Sequence, residues 1–122
     1  MTRSPESTQI LEVATEAALE ALAEDPVAID VTEHLPFADA FLVLTADNPR
    51  HLRAVQNAVA DKLRDELGIH SVIEGSEESE WVLIDGGDVL IHVMLPEARD
   101  FYALEKLWGH SPRLPLAKYT TT

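Results

Sequence analysis

From Glu80 to Met94 the chain reads EWVLIDGGDVLIHVM, two apolar runs around Asp85-Gly86-Gly87-Asp88. Alternation on both sides of a glycine pair predicts a β-hairpin closed by a two-residue Gly-Gly turn, since glycine supplies the positive φ that tight hairpin turns need. That turn sets a register with Asp85 facing Asp88, Ile84 facing Val89, Leu83 facing Leu90, Val82 facing Ile91 and Trp81 facing His92. Side chains alternate along a strand, so two faces separate. Val82, Ile84, Val89, Ile91 and Val93 form one. They are all β-branched or branched aliphatic, suited to burial against helices. Trp81, Leu83, Asp85, Asp88, Leu90, His92 and Met94 form the other. This mixed face makes a poor core and a good recognition surface, an aromatic anchor beside charge.

Elsewhere the periodicity is helical or continuous. Ser4-Pro5-Glu6 has the chemistry of a helix start. Ile10, Ala14, Ala17, Ala18, Ala21 and Leu22 mark the inner stripe of that helix, and Asp25-Pro26 ends it. Val27 to Thr32 reads as a short strand. Phe37 to Ala46 reads as a second strand, apolar enough to lie centrally with both faces covered. Asn48-Pro49 begins a second helix with Leu52, Val55, Val59 and Leu63 inside, and Gly68 stops it. Ile69 to Glu74 is a third strand. After the hairpin, Pro96-Glu97 starts a last helix, from about Ala98 to Trp108. In it Phe101 and Leu104 point inward, while Tyr102, Glu105 and Lys106 lie elsewhere around the helix. The tail after Ser111, with Pro112 and Pro115, shows no packing pattern and reads as extended or frayed.

The order α-β-β-α-β-β-β-α implies an α/β domain of the α+β type: one mixed, five-stranded sheet packed with helices. The β-α-β unit through the second helix is expected to be parallel and right-handed. At 122 residues the chain forms one domain, residues 1–115, with 116–122 a flexible C-terminal tail.

Charge sharpens the picture. The formal net charge is −13. Before Pro49 the only lysine or arginine is Arg3, against acids from Glu6 to Asp47. Such a chain is repelled by bare nucleic acid and by anionic lipid, so no strong direct nucleic-acid or membrane binding is expected. Work near nucleic acid would go through a basic protein partner. There are no cysteines, which removes disulfides, thiolate metal sites and a cysteine nucleophile, and fits a cytoplasmic location. No apolar run reaches transmembrane length, and the N-terminus lacks a signal-peptide core.

Catalytic motifs are missing: no phosphate-binding glycine loop, no nucleophile elbow, no H-E-x-x-H. The histidines at 34, 51, 70, 92 and 110 have no helical i, i+4 pairing, so neither a metal nor a cofactor is expected. Asp85 and Asp88 are close enough to hold a cation or do acid–base work, but tight turns favour aspartate for their own geometry. Arg99 is unusual in a first helical turn, where a cation opposes the helix dipole; a pairing with Asp85 or Asp88 would account for it.

These residues together resemble the ribosomal silencing factor (Iojap) family. The matching pattern is Ile73-Glu74-Gly75, Glu80-Trp81-Val82-Leu83-Ile84-Asp85, Gly87-Asp88, His92-Val93, Arg99-Asp100-Phe101-Tyr102, Leu104-Glu105 and Leu107-Trp108-Gly109. Asp30-Val31, Asp39, Phe41-Leu42-Val43 and Arg50-His51 also fit, so the likeness runs from about residue 6 to residue 115. The chain departs from the pattern at Gly86, where relatives usually carry an aromatic, at Ala40, where an aromatic commonly precedes Phe41, and at Ala46-Asp47-Asn48. The first two remove aromatics expected on the partner surface. The resemblance implies a nucleotidyltransferase-like core without that superfamily's catalytic acids. It also implies binding to the large ribosomal subunit through its fourteenth protein, at the face where the small subunit docks, with subunit joining blocked and translation lowered when nutrients are scarce. Family members are often dimeric. The partner-binding residues expected here are Trp81, Leu83, Asp85, Asp88, Leu90, His92, Arg99, Tyr102 and Glu105. The alternative is a minimal nucleotidyltransferase, which would need a Gly-Ser phosphate turn after the second strand; Thr45-Ala46-Asp47-Asn48 has no glycine there.

Overall fold

A computed structural model describes residues 5–33, 35–75, 80–107, 109, 111–114 and 116. The elements in order are α1 (Pro5–Glu20), β1 (Glu24–Asp30), β2 (Ala40–Thr45), α2 (Pro49–Leu67), β3 (Val72–Glu74), β4 (Trp81–Asp85), β5 (Val89–Met94), α3 (Pro96–Tyr102), α4 (Leu104–Leu107) and β6 (Arg113–Leu114). They build one mixed sheet in the order β3-β4-β5-β2-β1-β6. Only β2 and β5 run parallel as neighbours; the other pairs are antiparallel.

The helix-covered face follows the sequence pattern closely. Ile10, Ala14, Ala17 and Ala18 of α1 and Leu52, Val55, Val59 and Leu63 of α2 pack with Val82, Ile84, Val89, Ile91 and Val93. Every residue of β2 is buried, as a central strand covered on both sides must be. Asn48 caps α2 as expected: its side chain accepts the His51 N–H at 2.9 Å, and Pro49 follows. Gly68 ends the helix at φ 67, donating to the Arg64 carbonyl at 3.0 Å. Lys62 ties the two helices together, reaching Glu16 and Glu20 across the helix pair and Glu66 along its own helix.

Four expectations are corrected. The sheet has six strands, because Arg113–Leu114 pairs with β1 and Asp30 N–H donates to the Pro112 carbonyl at 2.8 Å. The segment from Ser111 to Leu114 is therefore part of the fold, with Leu114 and Leu116 against the main core. The sequence hid this because a two-residue edge strand carries no alternation. The crossover through α2 joins β2 to β3, which run in the same direction as expected, with the hairpin β4-β5 inserted between them and β3 at the sheet edge. The last helix is broken: Ala103 adopts φ 46, its N–H bonding to the Arg99 carbonyl, and α4 restarts at Leu104. Leu22, assigned to the α1 inner stripe, is instead 75% exposed at φ 66 just past the helix end. Trp108 lies outside the described residues.

Candidate partner-binding face

The hairpin turn is formed by Gly87-Asp88 rather than Gly86-Gly87. Gly86 N–H donates to the Val89 carbonyl at 3.0 Å, and Gly87 takes φ 91. The Asp85 carboxylate accepts the Gly87 N–H at 2.9 Å, which stabilises the bend in the way turn aspartates do. The pairs become Asp85 with Leu90, Ile84 with Ile91, Leu83 with His92, Val82 with Val93 and Trp81 with Met94. Partners thus move by two residues. A shift of two keeps every side chain on its face, whereas a shift of one would have inverted them all. Trp81 is accordingly diagonal to His92, a separation aromatic side chains span.

The second face is not an open surface throughout. Ile29, Val31, Phe41, Val43, Met94, Ala98 and Leu104 form a second core there, with Trp81 and Leu90 partly buried against it. His92 and Met94, expected on a recognition surface, are buried at 6% and 0% exposure. The helix α3 and the loop holding Leu35 and Ala38 provide the cover. Trp81, Leu83, Asp85, Asp88 and Leu90 remain half-buried, with edges open to a partner.

What reaches the surface is a run of ring contacts. Phe41 meets His92 edge-on, with centroids 4.8 Å apart. His92 lies 5.7 Å from Trp81, Trp81 4.7 Å from Tyr102, and Tyr102 5.1 Å from Phe101. Exposure climbs along this series from the buried Phe41 and His92 to Tyr102 at 50% and Phe101 at 82%. Trp81 also donates its indole N–H to His92 Nδ1 at 3.1 Å. Burial pushes the His92 pKa down to about 4, so the ring is neutral at pH 7.

Phe101 was expected to dock inward. Phe101 instead lies on the outer side of α3, edge-on to Tyr102, and Leu104 is buried from the separate α4. Glu105 lies in α4, with its side chain outside the described part. Arg99 does not pair with Asp85 or Asp88. It projects from α3 beyond the far end of β5, roughly 17 Å of strand away, and donates to Thr45 Oγ1 at 2.6 Å. Asp88 instead anchors the hairpin to β2, its carbonyl accepting the Asp39 N–H at 2.7 Å. The two aspartates sit at the start of the parallel pair β2 and β5. An α/β sheet binds ligands at the opposite, carboxyl end.

The departures at Gly86 and Ala40 fall elsewhere than expected. Ala40 is fully buried in the α1–α2 core. A Cβ on Gly86 would sit 3.5 Å from both Ile10 Cγ2 and Ile91 Cδ1, on the helix-covered side. Neither position belongs to the aromatic face.

No group of three or more histidine or acidic side chains that would hold a metal ion occurs among the described residues. None of their helices is long and apolar enough to cross a membrane.

Residues 4–122 match the profile of the family described as "Ribosomal silencing factor during starvation". A ribosomal silencing factor from Chromobacterium violaceum is 40% identical over 105 residues, 85% of each chain. The crystal structure of a Chromobacterium violaceum protein superposes with a TM-score of 0.77 at 40% identity, covering 84% of this chain and 85% of that one. A mouse protein named for mitochondrial assembly of the ribosomal large subunit is 36% identical over 90 residues, 70% of this chain and 39% of its own.

Proposed function

The chain belongs to the ribosomal silencing factor family, and on that premise we propose that it docks on the large ribosomal subunit and keeps the small subunit from joining. The contact is to a basic ribosomal protein at the subunit interface, the fourteenth of the large subunit, and the effect is lowered translation under nutrient limitation in the cytoplasm. The observation that carries this reading is the graded aromatic series from His92 through Trp81 and Tyr102 to Phe101 on a chain of net charge −13. Exposed rings flanked by half-buried Leu83 and Leu90 supply desolvatable area. Asp85 and Asp88 at one end of the patch, with the acidic chain behind them, steer it to a basic protein and away from phosphate.

Occupancy is sufficient as a mechanism: the bound factor fills space the small subunit needs. The nucleotidyltransferase alternative finds no support in the Thr45-Ala46-Asp47-Asn48 turn. There His51 Nδ1 accepts the Asp47 N–H at 2.9 Å and Asn48 caps α2, so the turn serves the helix and lacks a glycine for close phosphate approach.

The test is a sucrose gradient with separated subunits. Co-migration with large subunits and loss of joined ribosomes is expected. Equal migration with small subunits, or tight binding to naked ribosomal RNA, would overturn the reading.

A further inference from the structure

A cleft of about 390 Å³ opens at the carboxyl ends of β2 and β5, the far end of the sheet from the hairpin turn. Asp25, Thr45, Pro96, Arg99, Asp100, Ala103 and Lys106 line it. Open α/β sheets place small-molecule sites where strand direction leaves such a crevice. The walls come from β1, β2, α3 and α4, and two of them are held in an unfavourable backbone conformation. Asp25 has φ 50, and Ala103, which caps α3, has φ 46. The left-handed region costs alanine about 1–2 kcal/mol, and such strain is found where shape serves a ligand. A hydrogen bond to Thr45 Oγ1 at 2.6 Å fixes Arg99 in the cleft.

The lining carries both signs: Arg99 and Lys106 against Asp25 and Asp100. A phosphate-bearing ligand would meet those two carboxylates on a chain of net charge −13. A simple cation would meet Arg99 and Lys106. A zwitterion finds groups of opposite sign for both of its charges in the same lining. The volume lies near the lower limit of small-ligand pockets, about 300–1,000 Å³, too small for a dinucleotide. We propose that this cleft binds a free α-amino acid, its carboxylate held by Arg99 and Lys106, its ammonium by Asp25 and Asp100, and its side chain against Pro96 and Ala103.

The test is an NMR titration of the full ¹⁵N-labelled chain with each standard amino acid in turn, at millimolar concentration. A saturable shift of the Asp25, Thr45 and Ala103 amides by at least one amino acid is expected. The matching amino-acid amide, which lacks the carboxylate, and the N-acetyl derivative, which lacks the ammonium, should each bind about tenfold or more weakly, since each deletes a charge-assisted contact. Lys106→Gln, on an exposed side chain that cannot threaten the fold, and Arg99→Gln should weaken binding similarly. The proposal fails if no amino acid gives a saturable shift. It also fails if the blocked derivatives bind as well as the free amino acids, if inorganic phosphate binds more tightly, or if both variants leave binding unchanged.

Discussion

Trp81 donates its indole N–H to Nδ1 of His92 at 3.1 Å, and this one bond fixes the state of the histidine beneath the aromatic face. Indole can only donate, so Nδ1 accepts and the ring proton of neutral His92 resides on Nε2. That nitrogen is buried without a hydrogen-bond partner among the described residues. A second proton would have to enter at Nδ1, displacing Trp81, and would place a charge against the edge-on Phe41 ring.

Stability should therefore depend on pH through His92. Its pKa falls from 6.5 to about 4 on folding, because burial penalises the charged form. The unfolded chain binds the extra proton first. The contribution is complete above pH 6.5 and is lost progressively as pH falls toward 4, about 3 kcal/mol in all. Glu24 acts in the opposite sense: its pKa is raised by a hydrogen bond to Asp47 and repulsion from it. Comparing the protein with His92→Gln cancels that term. Urea melts at pH 7 and pH 4.5 should show a larger acid loss for the protein than for the variant. Parallel losses would mean that the Trp81–His92 contact does not exclude the proton.

A prediction of opposite sign concerns Leu22. It ends α1 in the left-handed region, where glycine is the usual residue, and at 75% exposure it gains little from burial. Leu22→Gly should raise stability by about 1 kcal/mol, read as a higher urea midpoint with unchanged slope. A fall would show that the Leu22 side chain contributes contacts worth more than the backbone strain.

The hairpin shows how much of this architecture was legible in the sequence. Alternation assigned Val82, Ile84, Val89, Ile91 and Val93 to the helix-covered face, and all five are buried there. The turn lies one residue from where the sequence places it, because Gly86 and Gly87 offer the same conformational freedom; the Asp85–Gly87 and Gly86–Val89 hydrogen bonds go with the Gly87-Asp88 turn. The break at Ala103 was invisible for a different reason. Alanine is the best helix former, so its left-handed conformation follows from tertiary packing alone. The exposure of Phe101 and the Arg99–Thr45 bond depend on how α3 lies against the sheet, which the local sequence does not encode. The burial of His92 and Met94 required knowing that α3 folds back over the second face, which no local period encodes.

On the α1–α2 side, Ile84→Ala and Ile91→Ala should each cost about 2–5 kcal/mol, since both side chains are fully buried and directly paired across β4 and β5. Their double variant should depart from additivity, because each cavity borders the other. Thermal or urea denaturation of the two singles and the double checks both points. Additive losses would mean that the core relaxes independently around each site.

The aromatic series separates binding from folding most cleanly at its outer end. Phe101 is 82% exposed and touches Tyr102 edge-on, so Phe101→Ala should change stability by no more than about 0.5 kcal/mol. Trp81→Ala differs, because it removes both the indole bond to His92 and packing against the second core; it should destabilise the fold as well as weaken binding. Trp81→Phe keeps a ring while deleting the donor, so it should lie between. If the rings dock on a ribosomal protein, Phe101→Ala and Tyr102→Ala should lower affinity for large subunits by about 1–4 kcal/mol, while Asp85→Lys and Asp88→Lys should slow association most at low salt. Subunit sedimentation beside urea melts of each variant gives the answer. A folded Phe101→Ala, Tyr102→Ala double variant that still co-sediments at wild-type affinity would move the interface off this face altogether.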